Sequence, residues 1–212
     1  MRNLFNPDNP VMNFIGKLGD ALWLNILWFV TSLPIFTIGA STSALYTVTL
    51  RMARDENSGV TAAFFRAFKE NFRGGTPIGL IMTGAGAALG ADWYILSHLR
   101  ITGVAGTLGF ACLIPLLIAY LATLAFVFPL QAWFRNTPLH MIRNAFLVSI
   151  RYLFCTLLVI GIHFAVFYIA IHYFTPLIFL GEGFCAFLSS YLLRPVMDAL
   201  ANAEDVQEER QA

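Results

Sequence analysis

Long uncharged segments separate the few charged positions of this chain. Lys, Arg, Asp and Glu are absent from four stretches of about 18 to 34 residues and from one shorter stretch, which are Ala21–Leu50, Gly74–Ala91, Ile101–Phe134, Tyr152–Gly181 and Gly183–Leu193. A run of about 18 mostly apolar residues can cross a hydrocarbon layer about 30 Å thick. The runs are apolar on every face, whereas barrel strands alternate between apolar and polar side chains. The pattern therefore predicts an all-α, polytopic membrane protein with five or six membrane helices in a lipid bilayer.

The boundaries of these helices follow from the positions of proline, glycine and charge. A first helix should begin near Pro10, because proline is favoured in the first helical turn. Two interpretations of residues 12–50 remain open: one long, kinked helix, or a span over 11–33 that turns near Pro34 and is followed by a short helix back to Arg54. That short helix would rise only about 22 Å. Further spans are predicted at 77–97, 104–133, 147–172 and 177–193.

An amphipathic pattern occupies Val60–Arg73. At 100° per residue, its phenylalanines fill one arc and its charged residues fill the other. A basic helix with a phenylalanine-rich face is typical of the membrane interface, and the competing interpretation is an ordinary surface helix that packs on a core. We therefore predict an interfacial helix on the cytoplasmic side that ends at Gly74–Pro77. Its candidate interfacial or docking surface consists of Phe64, Phe68, Phe72, Arg66, Lys69 and Arg73.

A short echo of this segment recurs at an offset of 78 residues. Ala67-Phe68 and Phe72-Arg73 correspond to Ala145-Phe146 and Ile150-Arg151. Each copy lies just before an apolar span or at its start. Two interpretations are open: a chance match, or a duplicated unit in which an interfacial helix leads into a helical hairpin.

Basic residues are concentrated in alternate connections. The segments Arg51–Arg73 and Arg135–Arg151 and the region from Arg194 onward are rich in them, whereas the other connections contain Arg100 or no basic residue. The positive-inside rule places the rich segments, and with them the carboxyl terminus, in the cytoplasm. Six helices with both ends inside is the favoured arrangement. The chain is treated as a single membrane domain, 1–212, with a polar segment at 1–10 and a solvated, acidic, frayed or disordered tail at 200–212.

Composition narrows the possible functions. Hydrophobic residues make up 58% of the chain and charged residues 12%, against about a quarter charged in soluble domains. A net charge of +1 predicts no nucleic-acid partner. The three cysteines lie in apolar runs, where packing explains them. The sequence contains no nucleophile elbow, phosphate loop, dinucleotide fingerprint or metal-ligand spacing. We therefore expect no enzyme activity, no catalytic residue, no cofactor and no metal.

Five ionisable side chains form a candidate polar site in the membrane, namely Asp92, His98, His163, His172 and Glu182. Ionisable groups are costly in lipid and therefore suggest function. All but His163 fall near the outer interface, where they would line a pocket for a proton, a cation or a polar solute. The simpler interpretation is snorkelling with a local Asp92–Arg100 or Glu182–His172 pair. His163 lies near the middle of its span and is expected to hydrogen-bond to a neighbouring helix.

Two further features predict contacts between membrane helices. Asn25 should hydrogen-bond to another helix, because an amide in hydrocarbon needs a partner. Gly86-x-x-x-Gly90 would permit two helices to approach closely.

Three motifs resemble a known family. Asn6–Pro10, Leu33–Thr42 and Phe65–Lys69 resemble the YesL-like family of bacterial integral membrane proteins, and the similarity is strong over about residues 3–75. The function of this family is unknown. The resemblance implies a bacterial cell membrane. Because members are often encoded beside carbohydrate ABC-transporter and glycan-degradation genes, it also implies an accessory role in sugar uptake or sensing. It supplies no catalytic residues.

The sequence leaves two possible functions from different classes. The first is an accessory or regulatory membrane protein that docks on a carbohydrate ABC transporter through residues 60–73 and the connection 135–151. The alternative is a small transporter or channel for a polar solute or proton, with the outer belt of Asp92, His172 and Glu182 as its site. Oligomeric state is not predicted.

Overall fold

The computed structural model describes residues 10–56, 59–98, 103–173 and 177–209. The α-helices within these ranges are α1 (Pro10–Ser32), α2 (Ile38–Ala53), α3 (Val60–His98), α4 (Val104–Trp133), α5 (Pro138–Arg151), α6 (Leu153–His172) and α7 (Leu177–Glu209). A 3-10 turn joins α1 to α2. Helices α1, α3, α4, α6 and α7 each contain a segment long and apolar enough to cross a membrane. The predicted all-α, polytopic fold is confirmed, as is the helix start near Pro10.

The first two helices form an antiparallel hairpin. Near the turn, the Trp28 indole N–H donates to Thr42 Oγ1 at 3.0 Å. At the far end, Lys17 Nζ lies 2.5 Å from Asp55 Oδ1. The first contact pairs the end of α1 with the start of α2, and the second pairs the first half of α1 with the residue that follows the end of α2. Of the two interpretations of residues 12–50, the span followed by a short returning helix is therefore correct.

Helix α2 is the central helix of the bundle. Thirteen of its 16 residues are buried, although its length of about 24 Å is less than a full hydrocarbon layer. Three of its buried hydroxyls, those of Thr42, Ser43 and Thr49, donate to carbonyls of their own helix, as when Ser43 Oγ donates to the Gly39 carbonyl at 2.9 Å. Neighbouring helices therefore surround α2, and it needs no lipid-facing surface of its own.

A contact between glycines joins α2 to α3. A Cβ added to Gly79 would lie 2.6 Å from the backbone of Gly39, and a Cβ on Gly39 would collide with the Gly75 carbonyl oxygen. Glycine is therefore required on both helices for this approach. The pair that packs is Gly75-x-x-x-Gly79. The predicted pair Gly86-x-x-x-Gly90 behaves differently, because a Cβ on Gly86 would meet the Tyr120 hydroxyl of α4 at 2.5 Å, whereas a Cβ on Gly90 would meet nothing within 4 Å.

Helix α3 continues without interruption through the position where we expected it to end. It includes Val60–Arg73, the Gly-Gly-Thr-Pro sequence and the following span in 39 residues. The predicted boundary at Gly74–Pro77 is wrong. Proline removes one helical hydrogen bond, but packing in a membrane protein tolerates that loss. Of the two glycines that were expected to end the helix, Gly75 lies against the backbone of α2 and Gly74 lies against the Gln131 side chain of α4.

Two other boundaries also differ from the predictions. The span predicted at 147–172 is divided, because α5 ends at Arg151 and α6 begins at Leu153. Tyr152 lies between them with φ −111° and ψ 47°. The acidic tail predicted from residue 200 is helical as far as Glu209, since α7 continues to that residue. The predicted turn at 175–176 lies outside the described residues.

The remaining helices pack as antiparallel pairs around α2. The Tyr120 hydroxyl of α4 donates to the Met82 carbonyl of α3 at 3.1 Å. The Cys155 thiol of α6 donates to the Leu192 carbonyl of α7 at 3.6 Å. The Gly183 N–H of α7 donates to Asn25 Oδ1 at 2.6 Å, which confirms the hydrogen bond expected of Asn25. The largest fully buried side chains include Phe64, Phe126 and Phe187.

Candidate functional site

Three of the five residues predicted to form a polar membrane site stay apart. Asp92, His98 and His172 are exposed on the outside of the bundle. The His98 ring stacks on Tyr94 with centroids 4.1 Å apart, and the His172 ring stacks on Tyr168 at 4.3 Å. Each histidine Nδ1 also bonds to a carbonyl of its own helix. The structure therefore does not assemble an outer belt from these residues.

The other two residues, His163 and Glu182, face each other between α6 and α7. His163 Nε2 lies 4.0 Å from Glu182 Oε1. His163 is halfway along α6, so the Glu182 carboxylate reaches deeper into the bundle than the outer interface where we expected it. The predicted Glu182–His172 pair is replaced by this one. His163 Nδ1 bonds to the Val159 carbonyl of its own helix at 2.8 Å, so the hydrogen bond predicted to a neighbouring helix does not form.

This pair lies in the wall of a cavity of about 470 Å³. The cavity has lining residues from α1, α2, α4, α6 and α7. Five of its lining side chains are aromatic, namely Trp28, Tyr46, Phe128, Phe164 and Phe167. Its volume is within the range of about 300–1,000 Å³ that small-molecule sites occupy. The described lining contains one carboxylate, one imidazole and no lysine or arginine.

The aromatic wall has no signal in the sequence that would have identified it. The chain contains 20 phenylalanines, and most of its helices carry some of them on lipid-facing positions. Which of them face the cavity depends on the order of helices around α2, and spacing along one helix does not reveal that order. The depth of His163 in its span was the one usable signal.

A network of charged groups ties the helices together at the opposite end of the bundle from Asp92 and His98. Arg54 forms an ion pair with Asp198 of α7, and its guanidinium lies 3.9 Å from the centroid of the Trp133 ring. Arg194 Nη1 donates to the Ala53 carbonyl at 2.9 Å. This network joins the ends of α2 and α4 to the middle of α7. The sequence predicts that these arginines share a side of the membrane, but it does not predict their partners.

Asp55 extends the same network to α1. Its backbone is in the left-handed region with φ 62°, a conformation that aspartate tolerates better than most residues. Lys17 donates a hydrogen bond to its carboxylate and adds an opposite charge, and both effects hold the pKa of Asp55 below its usual range. The start of α1 therefore lies at the same end of the bundle as Arg194 and Asp198.

The candidate docking surface on α3 is only partly exposed. Phe64 is 0% exposed, so its assignment to a surface is wrong. Phe64 packs in the core because α2 and the other helices supply apolar side chains against it. The interfacial interpretation assumed that no such core lies beside this segment. Phe68 is half-buried against the same core. Phe72 and the basic residues Arg66, Lys69 and Arg73 are exposed, and the exposed Phe65 lies beside them.

The fold, with its five apolar helices long enough to span a membrane, defines a polytopic helical membrane protein. A family model described as "Protein of unknown function, DUF624" matches residues 21–93. The uncharacterized protein YesL of Bacillus subtilis (strain 168) is 30% identical over 95 residues, which are 43% of this chain and 46% of YesL. The aligned region thus spans about half the length of that curated relative. No solved structure matches the chain. Over part of its length the chain is thus similar to the YesL-like family of unknown function, which the sequence motifs also resemble.

Proposed function

We propose that this protein is an accessory or regulatory component of carbohydrate uptake that docks on an ABC transporter in the bacterial cell membrane. The resemblance to the YesL-like family supports the link to sugar uptake. The observation that carries the docking role is an exposed aromatic and basic surface on α3. The proposal includes no catalytic step and no cofactor.

The docking surface consists of the exposed residues Phe65, Arg66, Lys69, Phe72 and Arg73. At 100° per residue these side chains lie within about 120° of each other around the helix. The opposite side of the same segment is anchored, because Ala63, Phe64 and Ala67 are buried. A rigidly held face that combines aromatic rings with arginine has the composition of a protein–protein interface.

Orientation forms the second part of the proposal. Four basic residues lie at one end of the bundle. Three of them form the ion pairs Lys17–Asp55, Arg54–Asp198 and Arg135–Glu70, and the fourth, Arg194, lies beside Asp198. We assign this end of the bundle, and the carboxyl-terminal end of α7, to the cytoplasm by the positive-inside rule. The docking surface is then accessible to the cytoplasmic side of a neighbouring transporter.

Site-directed photocrosslinking tests the docking role. A photoreactive p-benzoylphenylalanine replaces Phe72 in cells that express the natural transporters, and the products are identified by mass spectrometry. We expect a crosslink to a membrane subunit of a carbohydrate ABC transporter. Tyr173 is the matched control, since it is an exposed aromatic residue outside this surface, and the same group there should not capture that subunit.

A charge-reversed variant completes the test. Arg66→Glu combined with Arg73→Glu should abolish the crosslink from position 72, because both arginines are exposed beside it. Asp92→Lys, a reversal at an exposed position outside the docking surface, should leave it intact. Crosslinks from position 72 to lipid alone, or to a second copy of this chain, would contradict docking on a transporter.

Labelling of single cysteines tests the orientation. The three natural cysteines are replaced by serine, and a cysteine is introduced at Glu56 or at Tyr173. A maleimide that does not cross membranes should label Tyr173→Cys on intact cells and should label Glu56→Cys only after the cells are opened. The reverse result would place the charged network outside.

A small transporter or channel is the second candidate, and the His163–Glu182 pair favours it. Such a protein would move a proton or a cation through the cavity, since the outer belt of Asp92, His98 and His172 does not form. Proteoliposomes that contain a pH-sensitive dye test this function. An inward proton gradient should acidify the interior of these vesicles, and Glu182→Gln should abolish this acidification. An acidification rate equal to that of protein-free vesicles would exclude transport by this protein.

A further inference from the structure

We propose that the cavity between α4 and α6 binds a hydrophobic amine, with the protonated amine between His163 and Glu182 and its apolar part against the aromatic wall. This binding site is independent of the docking surface on α3. It also requires no transport, because a bound amine could act as a signal or as a tightly held component.

The hydrogen bonds around His163 leave two acceptors facing each other. A carbonyl oxygen only accepts, so the 2.8 Å contact with the Val159 carbonyl requires that His163 Nδ1 carries its hydrogen. In the neutral ring, Nε2 is then an acceptor. Glu182 as a carboxylate is also an acceptor, and the 4.0 Å between the two atoms is too long for a direct hydrogen bond.

A primary ammonium group matches this arrangement. It has three N–H donors, and from a position about 2.8 Å from each acceptor it can bond to both at once. It also supplies the positive charge that a carboxylate at membrane depth requires. Within the described residues Glu182 accepts no hydrogen bond, and the nearest charge-bearing group to it is His163.

Two other polar groups in the wall, the Trp28 indole and the Thr42 hydroxyl, do not compete for this role. The Trp28 indole N–H donates to Thr42 Oγ1 at 3.0 Å. The Thr42 hydroxyl donates in turn to the Ile38 carbonyl at 2.8 Å. Both donors are therefore occupied, which leaves the histidine, the carboxylate and the nearby Tyr46 hydroxyl as the polar groups available to a ligand.

The rest of the wall suits a cation with an apolar body. The five aromatic residues supply apolar surface and π-systems that attract a cation. Six further lining residues are aliphatic, which are Ile38, Leu121, Leu124, Ala125, Val159 and Ile160. No lysine or arginine lines the described wall, so a phosphate or carboxylate on the ligand would lack a strong partner. The chemistry points to a single positive charge on a hydrophobic molecule.

The cavity is open toward the apolar surface of the bundle. Two of its lining residues, Phe164 and Leu121, are 72% and 38% exposed, so they form its rim. They belong to α6 and α4, both of which are long and apolar enough to span the membrane. A ligand would therefore enter from the hydrocarbon layer, which a hydrophobic amine can reach and a free sugar cannot.

Binding of a matched amine and alcohol tests the proposal. Purified full-length protein in detergent is titrated with radiolabelled 4-phenylbutylamine in a scintillation proximity assay, and with 4-phenylbutanol as the uncharged counterpart. We expect the amine to bind at least tenfold more tightly than the alcohol. Equal affinity for the two compounds would show that the carboxylate does not act as a cation site.

Two variants separate charge from shape. Glu182→Gln keeps the size of the side chain and should lower the affinity for the amine at least tenfold without changing that for the alcohol. Ala125→Phe fills the cavity and should abolish binding of both compounds, with the His163–Glu182 pair intact. Asp92→Asn, the same kind of change at an exposed position, should alter neither affinity.

Elution volume in gel filtration establishes that each variant is folded before its affinity is compared. If Glu182→Gln fails to fold, the Ala125→Phe variant still decides whether the compounds occupy this cavity. Unchanged binding of the amine in Ala125→Phe, or in a folded Glu182→Gln, would overturn the proposal.

Discussion

Two segments of this protein begin with the same pattern and end differently. Val60–Arg73 continues into its membrane span as one helix, whereas α5 (Pro138–Arg151) stops before α6 begins. The sequence echo has an offset of 78 residues, and the first and last residues of α5 lie 78 positions after Val60 and Arg73. The first segment is followed by two glycines and a proline, and the second by Tyr152, so the local sequence predicts the opposite result.

The buried faces of the two segments also correspond. Ala63, Ala67 and Asn71 are buried in the first segment, and the residues 78 positions later, Met141, Ala145 and Ser149, are buried in α5. The segments thus pack in the same manner and differ in whether the helix extends beyond them. We conclude that contact with a neighbouring helix, and not the presence of helix-breaking residues, decides whether the helix continues.

The largest expected effect comes from the glycine contact that holds α3 in line. Gly79→Ala should lower the free energy of unfolding by about 3 kcal/mol, because the added methyl group meets the backbone of Gly39 at 2.6 Å. Thermal unfolding of the purified protein in detergent measures this change. Gly90→Ala is the matched control and should be neutral or stabilising by up to about 1 kcal/mol, since its methyl group meets nothing and alanine favours a helix. Equal effects would contradict the account.

Equivalent substitutions in the two buried faces should have equivalent effects. Ala67→Leu and Ala145→Leu both place a larger side chain at a position that is at most 3% exposed, and each should destabilise by about 2 kcal/mol. Leucine at the equivalent exposed positions, Arg66 and Asn144, should change stability by less than about 0.5 kcal/mol. If only one of the two alanines is sensitive, the segments do not pack alike.

A smaller effect is expected at the proline inside α3. Pro77→Ala restores an N–H that can bond to the Arg73 carbonyl, so it should stabilise the protein by about 1 kcal/mol without a change in helix content. Circular dichroism and thermal unfolding check the two parts of this prediction. A rise in helix content would instead show that α3 is interrupted at Pro77 in the natural protein.

The smallest effect is expected where α3 meets the connection before α5. Arg135 Nη2 lies 3.4 Å from Glu70 Oε2, and the two side chains are 83% and 49% exposed. Exposed pairs of this kind contribute little, so Arg135→Ala should cost less than about 0.5 kcal/mol. A loss above about 2 kcal/mol would mean that this contact holds the two segments together.

The sequence predicts well those features that depend on one segment alone. The spans are recognised because each is apolar over its whole length, and the first helix starts at Pro10 as its position indicates. The return of the chain after Pro34 remained one of two open interpretations, since proline and glycine allow both a kink and a turn. The contacts of Trp28 with Thr42 and of Lys17 with Asp55 decide between them.

Features that depend on the order of the helices could not be predicted. Two Gly-x-x-x-Gly motifs occur in α3, and their spacing does not reveal which one brings the backbones of two helices into contact. The sequence suggests that Glu182 lies at the depth of His98 on α3 and of His172 on α6. Only the packing of α6 against α7 shows that its neighbour is His163 instead. Phe64 and Phe72 belong to one predicted arc, but the first is covered by the core and the second is not.

The distance between two spin labels tests most directly whether α3 is continuous. Cysteines at Arg66 and Tyr94, both exposed, carry labels on either side of the Gly-Gly-Thr-Pro sequence in a protein without its natural cysteines. Double electron–electron resonance in lipid nanodiscs should give a distance of about 40 Å, as a continuous helix requires. An interfacial helix that lies perpendicular to its span would give about 30 Å, and that result would contradict the account.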